Sequence, residues 1–136
     1  MYHILLMEDD PDLGPLMRAA LEDAGCQVEL VVDATSAVAE FERSTPDVFV
    51  ADIIIKRDGR PIADGGIKAI WRVNSIAKAR RIKVGVIAIS GALRGEGTRN
   101  LLTTARQIGA HDVLEKPFDP DALLAKIETV LGALSN

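Results

Sequence analysis

Three consecutive acids, Glu8, Asp9 and Asp10, close the apolar run His3-Ile-Leu-Leu-Met7, and Asp52 closes a second run, Val48-Phe-Val-Ala51. Ser90 ends a third apolar stretch that begins at Lys83, and Lys116 follows a short fourth one, His111 to Leu114. Carboxylates a few ångströms apart repel strongly, so such groups gathered in one place need a compensating charge. A hard divalent cation supplies it: Mg²⁺ takes oxygen ligands octahedrally, keeps several waters and accepts one or two direct carboxylates. One carboxylate of the set can then act as the covalent nucleophile toward a phosphoryl group. Phosphoryl transfer depends mainly on positioning and on neutralising the equatorial oxygens. Lys116 fits as a mobile point charge, Ser90 as a hydroxyl donor, and the backbone N–H groups after Asp52 as further donors.

Taken singly, each feature has a plainer explanation. Three acids ahead of a helix favour its dipole, a lone serine is usually a loop hydroxyl, and a lone lysine is usually on the surface. Asp52 is the strongest of the four, because a charge seldom ends a buried strand. What joins them is their common place at the carboxyl ends of strands, and that depends on the elements.

Short apolar runs alternate with amphipathic segments. Strands are expected at 3–7, 27–32, 47–52, 83–90 and 111–114. Between them, helices are expected over 12–24 (Leu13, Leu16, Met17, Ala20 and Leu21 inward, Gly25 as the stop), 33–43 (Asp33 as cap), 67–78 (Ile67, Ile70 and Trp71 inward) and 101–108 (ended by Gly109). The last helix has Asp119 as N-cap, Pro120 at its first position, and Leu123, Leu124, Ile127, Val130, Leu131 and Leu134 at helical spacing. Near-continuous apolar strands separated by helices imply a parallel sheet covered on both faces. Right-handed crossovers leave few topologies. The expected fold is α/β, a doubly wound (βα)5 sandwich with a five-stranded parallel sheet, for which the order 2-1-3-4-5 is one of the two common arrangements. In such sheets sites form beyond the carboxyl ends of the strands, which is where the polar residues fall.

The bulk properties bound the function. The 136 residues fit a single domain, 1–136, and 48% apolar residues suffice for a core. No apolar run approaches the roughly 18 residues that span a membrane, and the acids at 8–10 cut short any signal peptide, so a cytoplasmic location is expected. Cys26 is the only cysteine, which excludes an internal disulfide or a cysteine zinc cluster. A net charge of −4 argues against direct nucleic-acid binding. Residues 1–55 hold 12 of the 20 acids and only Arg18 and Arg43 as bases, while residues 56–83 hold nine of the 16 bases. That basic segment reads as a solvated helix face, with a partner surface as the alternative.

The ordered set Ile4-Leu-Leu-Met-Glu-Asp-Asp10, Pro46-Asp-Val-Phe-Val-Ala-Asp-Ile53, Val86-Ile-Ala-Ile-Ser-Gly-Ala92 and Val113-Leu-Glu-Lys-Pro-Phe118 resembles the receiver domain of two-component response regulators. The likeness includes the stand-alone chemotaxis type and the flavodoxin/CheY-like fold. It implies that Asp52 is the phosphoacceptor, Asp9 a direct carboxylate ligand of Mg²⁺ (or of Mn²⁺ in its place), Glu8 an acid acting through a water, and the Ile54 carbonyl a backbone ligand. It makes Asp10 an accessory acid, Ser90 the switch hydroxyl, Lys116 the phosphoryl-binding lysine and Lys116–Pro117 a cis bond. The implied partners are a sensor histidine kinase or phosphotransfer protein, and a downstream protein or second copy that reads the face of helix 4, strand 5 and helix 5. Neither nucleic acid nor membrane is an expected partner. The implied role is a phosphorylated signalling switch that modifies only itself, not a conventional enzyme.

Three departures from the family pattern stand out. Lys56 stands where proline is usual, and Asp64-Gly65 comes late, so residues 56–63 form an expanded basic loop, expected as a tolerated surface insertion with a partner contact as the alternative. Val113 stands where many relatives carry an aromatic residue, which removes a large aromatic swing from the switch. Ile54 and Ala92 lack polar groups to guide a hydrolytic water, so slow self-dephosphorylation is expected. A degenerate receiver that binds partners without phosphorylation is the alternative function. A flavin or nucleotide enzyme on the same fold would need a phosphate loop after the first strand, where three acids stand instead.

Overall fold

Strands that are apolar on both sides need cover on both faces. The computed structural model, which describes residues 2–53, 65–90 and 103–135 and the backbone of 56–57 and 60–61, provides it with a five-stranded parallel sheet. The elements run β1 (His3–Met7), α1 (Leu13–Asp23), β2 (Gln27–Val31), α2 (Ala34–Arg43), β3 (Val48–Asp52), a short β4 (Lys56–Arg57) and β5 (Arg60–Pro61), and α3 (Gly66–Arg80). There follow β6 (Gly85–Ser90), a helix α4 over 103–107, β7 (Asp112–Glu115) and α5 (Pro120–Ser135). The main sheet has the order β2-β1-β3-β6-β7. Since β6 and β7 are its fourth and fifth strands, this is the expected 2-1-3-4-5.

Alternation along the strands splits the core in two. Ile4, Leu6, Val48, Val50, Ile87 and Ile89 face the side packed with Met17 and Leu21 of α1 and Leu123 and Ile127 of α5. Leu5, Met7, Phe49, Ala51, Val86 and Ala88 face Phe41 of α2 and Ile70 and Val73 of α3. Each fully buried large side chain contributes about 1.5–3 kcal/mol. This two-sided burial is what holds the carboxyl ends of the strands in register.

Helix boundaries follow local chemistry. Asp33 caps α2, its carboxylate accepting the Ser36 N–H at 2.8 Å. Gly25 ends α1 at φ +95°, a conformation glycine adopts without strain. Gly109 closes α4 at φ +119° beneath Asn74, whose side-chain amide donates to the Ile108 carbonyl at 2.6 Å.

Several expectations fail. Leu16 is 63% exposed, because α1 turns Leu13, Met17 and Leu21 inward, and one residue is about 100° of rotation. Trp71 is 57% exposed for the same reason: Ala69, Ile70, Val73 and Ala77 fill the inner face of α3. The basic insertion is not wholly a loop, since β4 and β5 pair antiparallel, Lys56 opposite Pro61 and Arg57 opposite Arg60. The last strand is Asp112–Glu115, one residue later than expected at each end. Leu101 and Ala92 lie outside the described residues.

Candidate functional site

Parallel pairing brings the polar chain positions together. Met7 lies opposite Ala51, so Glu8 and Asp52, each the next residue, come out side by side at the sheet edge. Asp52 lies opposite Ile89, Ser90 opposite Glu115, and the Lys116 N–H donates to the Ser90 carbonyl at 2.8 Å. Four residues separated along the chain thus share one edge because their strands share one register.

Burial sharpens the picture. Among the described residues the buried polar or charged ones are Glu8 (1% exposed), Asp52 (3%) and Ser90 (0%), all at this edge. Lys116 Nζ donates to Asp52 Oδ2 at 2.7 Å and also pairs with Glu8 Oε1. Burial opposes the charge on Lys116, yet the bonds to Asp52 and Glu8 outweigh it and hold the ammonium above its ordinary range. Glu8 is pushed up to about 7, first by burial and then by the nearby Asp52 charge. One ammonium therefore does not compensate both buried carboxylates.

The donor set fits a divalent cation. Glu8, Asp9 and Asp52 each bring a carboxylate oxygen within 4.8 Å of the others. These are hard oxygen donors of the kind Mg²⁺ takes, and the raised Glu8 marks the excess negative charge that such an ion would relieve. Asp10 does something else. It is exposed, and its Oδ1 accepts the N–H groups of Asp12 (2.8 Å) and Leu13 (2.9 Å) at the start of α1. Those bonds hold its carboxyl below the usual range. The helix-terminal explanation of the three acids is therefore right for Asp10. Ile54 lies outside the described residues.

Beside the site, Lys116–Pro117 is cis, as expected. Val113 is half-buried against the core cluster under α3. Asp112 next to it pairs with Lys126 of α5 at 3.1 Å and with Arg106 of α4 at 3.9 Å, tying α4, β7 and α5 together. Sequence reasoning missed Gly66. A Cβ there would lie 2.2 Å from the Asp52 carbonyl oxygen, so the start of α3 rests directly on the Asp52 backbone. The double glycine at 65–66 was the available signal.

Residues 4–128 match the response regulator receiver domain. The chain belongs to that family. This receiver domain is 31% identical to the nitrogen assimilation regulatory protein NtrX of Azorhizobium caulinodans over 98% of its length and 27% of the relative's. It is 32% identical to an uncharacterized 14.6 kDa protein of Leptolyngbya boryana, over 92% of its length and 86% of the relative's. Against NtrX of Brucella abortus crystallised with ADP, the receiver superposes with a TM-score of 0.80 at 26% identity, covering 98% of this chain and 28% of that one. The chemotaxis protein CheY4 of Vibrio cholerae gives 0.78 at 21% identity, over 96% and 98%, a likeness of fold. The receiver thus spans about a quarter of the NtrX relatives. Among its described residues no helix is long and apolar enough to cross a membrane.

Proposed function

We propose that Asp52 is the phosphoacceptor of this two-component receiver. The observation that carries the reading is the coincidence of burial and charge: the polar residues buried among those described meet at one sheet edge, where Lys116 binds Asp52. An Asp52 carboxylate oxygen attacks the phosphorus of a phosphohistidine on a kinase or phosphotransfer partner. The new P–O bond forms as the P–N bond breaks, and the imidazole nitrogen leaves with the electron pair. Lys116 then neutralises a phosphoryl oxygen and Ser90 donates its hydroxyl proton to another. Glu8, Asp9 and Asp52 would hold Mg²⁺ or Mn²⁺, with the Ile54 carbonyl as the implied backbone ligand. When bound, the ion supplies positive charge to the transferring group.

Engagement of Ser90 and Lys116 biases the α4–β7–α5 face, which Asp112, Arg106 and Lys126 already couple. With half-buried Val113 in place of an aromatic, that shift passes through the helices and loops. A downstream protein or a second copy reads the result. The chain acts as a switch that modifies itself rather than turning over a metabolite, in the cytoplasm with its phosphodonor. Acetyl phosphate treatment followed by phosphate-affinity electrophoresis tests it: a Mg²⁺-dependent retarded band in the wild type that is absent in Asp52→Asn. An identical band in Asp52→Asn rejects the assignment, and no band in either leaves the phosphorylation-independent module as the function.

A further inference from the structure

The basic segment and the lone tryptophan come together on α3, away from the site at the sheet edge. Lys68, Trp71, Arg72, Ser75 and Lys78 fall on one stripe at helical spacing, and all five are exposed. Trp71 is the chain's only tryptophan, and it packs into neither core cluster. A large aromatic held in water is the kind of group that anchors interfaces.

The charge pattern is one-sided. From Gly66 to the C-cap Arg81 there are five bases, Lys68, Arg72, Lys78, Arg80 and Arg81, and no acid. An ordinary solvated helix face mixes signs, because Glu–Lys pairs at i,i+4 stabilise and like charges at that spacing repel. Lys68 and Arg72 stand in that repelling relation. Glu42 of α2 pairs with Arg80 at 3.7 Å, so the charge that the outer face carries for docking is that of Arg72 and Lys78, local within a chain of net −4.

Beside Trp71 lies an open groove of about 400 Å³ between α3 and the end of α4, lined by Trp71, Asn74, Lys78, Ile108 and His111 among others. The Asn74 bond to the Ile108 carbonyl fixes its floor. The groove has an aromatic wall, an aliphatic patch and a cation at its rim. That composition matches an apolar side chain entering among carboxylates.

We infer that the outer face of α3 docks an acidic amphipathic helix of a partner protein, its apolar side chains against Trp71 and its carboxylates against Arg72 and Lys78. Acids bound the patch, Glu42 at Arg80 and Asp112 near His111. They break the continuous basic track that a nucleic-acid backbone follows. The inference does not rest on Asp52 or on its modification.

Fluorescence anisotropy on the full chain tests it, with a labelled helical peptide carrying leucines along one face and glutamates elsewhere. Binding is expected at low salt, weaker at physiological salt, with a shift in Trp71 emission. Arg72→Glu with Lys78→Glu, and separately Trp71→Ala, should each weaken binding about tenfold. The same affinity is expected in Asp52→Asn with chelator present. These surface variants should unfold at the wild-type denaturant midpoint, which separates lost binding from lost fold. Absent peptide binding, or binding unchanged in the variants, overturns the inference. So does tighter binding of oligothymidine or phosphatidylglycerol vesicles, or self-association that Arg72→Glu abolishes.

Discussion

Replacing Gly66 by alanine should damage both the fold and the proposed chemistry, although alanine is the better helix former. In a helix interior the exchange gains about 1 kcal/mol, and less in a first turn. Against this, the new Cβ would lie 2.2 Å from the Asp52 carbonyl oxygen and 2.6 Å from the Ile53 Cα. Both neighbours are backbone in a fully buried region, so no rotamer change relieves the contact, and overpacking of this kind costs about 1–3 kcal/mol. The clash wins, for a net loss of about 1–2 kcal/mol. Gly132 of α5 supplies the control: a Cβ there meets nothing within 4 Å, so Gly132→Ala should stabilise by about 0.5–1 kcal/mol. Urea unfolding followed by circular dichroism reads both. Relief of the clash must also move the Asp52 backbone, and a misplacement approaching 1 Å can slow a reaction by about a hundredfold. Acetyl phosphate labelling of Gly66→Ala, under conditions where it stays folded, should be slowed at least about tenfold. A Gly66→Ala protein with wild-type stability and labelling rate would refute the claim that α3 sits on Asp52.

In chelator, Glu8 should make stability fall with pH. Its carboxyl sits at about 7 in the folded chain against an ordinary 4.5. The folded state therefore keeps a proton that the unfolded chain releases between those values. Stability from this group is complete below about pH 4.5 and lost by about pH 7, a change on the order of 3 kcal/mol. Urea midpoints across that range should slope downward in the wild type and flatten in Glu8→Gln; equal slopes would contradict the assignment. Asp33→Ala removes the cap on the Ser36 N–H and should cost about 1 kcal/mol in the same unfolding assay, with labelling of Asp52 unchanged.

The sheet was legible because its central strands are near-continuous apolar runs, while the handedness of crossovers left few orders, 2-1-3-4-5 being one of the two common ones. The edge was legible too, because Asp52 and Ser90 each end such a run. What failed has a common cause. The helical readings sent Leu16 and Trp71 inward, but α1 and α3 fill their inner faces without them. Nothing in one chain's spacing shows how wide an inward stripe the packing needs. The β4–β5 ribbon has two-residue strands, too short to carry a period. By spacing alone the run 8–10 holds three equivalent acids, which only the resemblance told apart; the tertiary structure sends Glu8 to Lys116 and, with Asp9, to the cluster, and Asp10 to the start of α1. The pairing of Lys116 with both Asp52 and Glu8 joins distant chain segments and needed the fold.

The central claim is that the carboxylates of Glu8, Asp9 and Asp52 form one cation site that readies Asp52. Calorimetric titration of the folded chain with MgCl₂ tests it most directly. Saturable binding is expected in the wild type, weakened at least about tenfold in Asp9→Asn and in Asp52→Asn. Absence of binding in the folded wild type, or equal affinity in all three proteins, would contradict it.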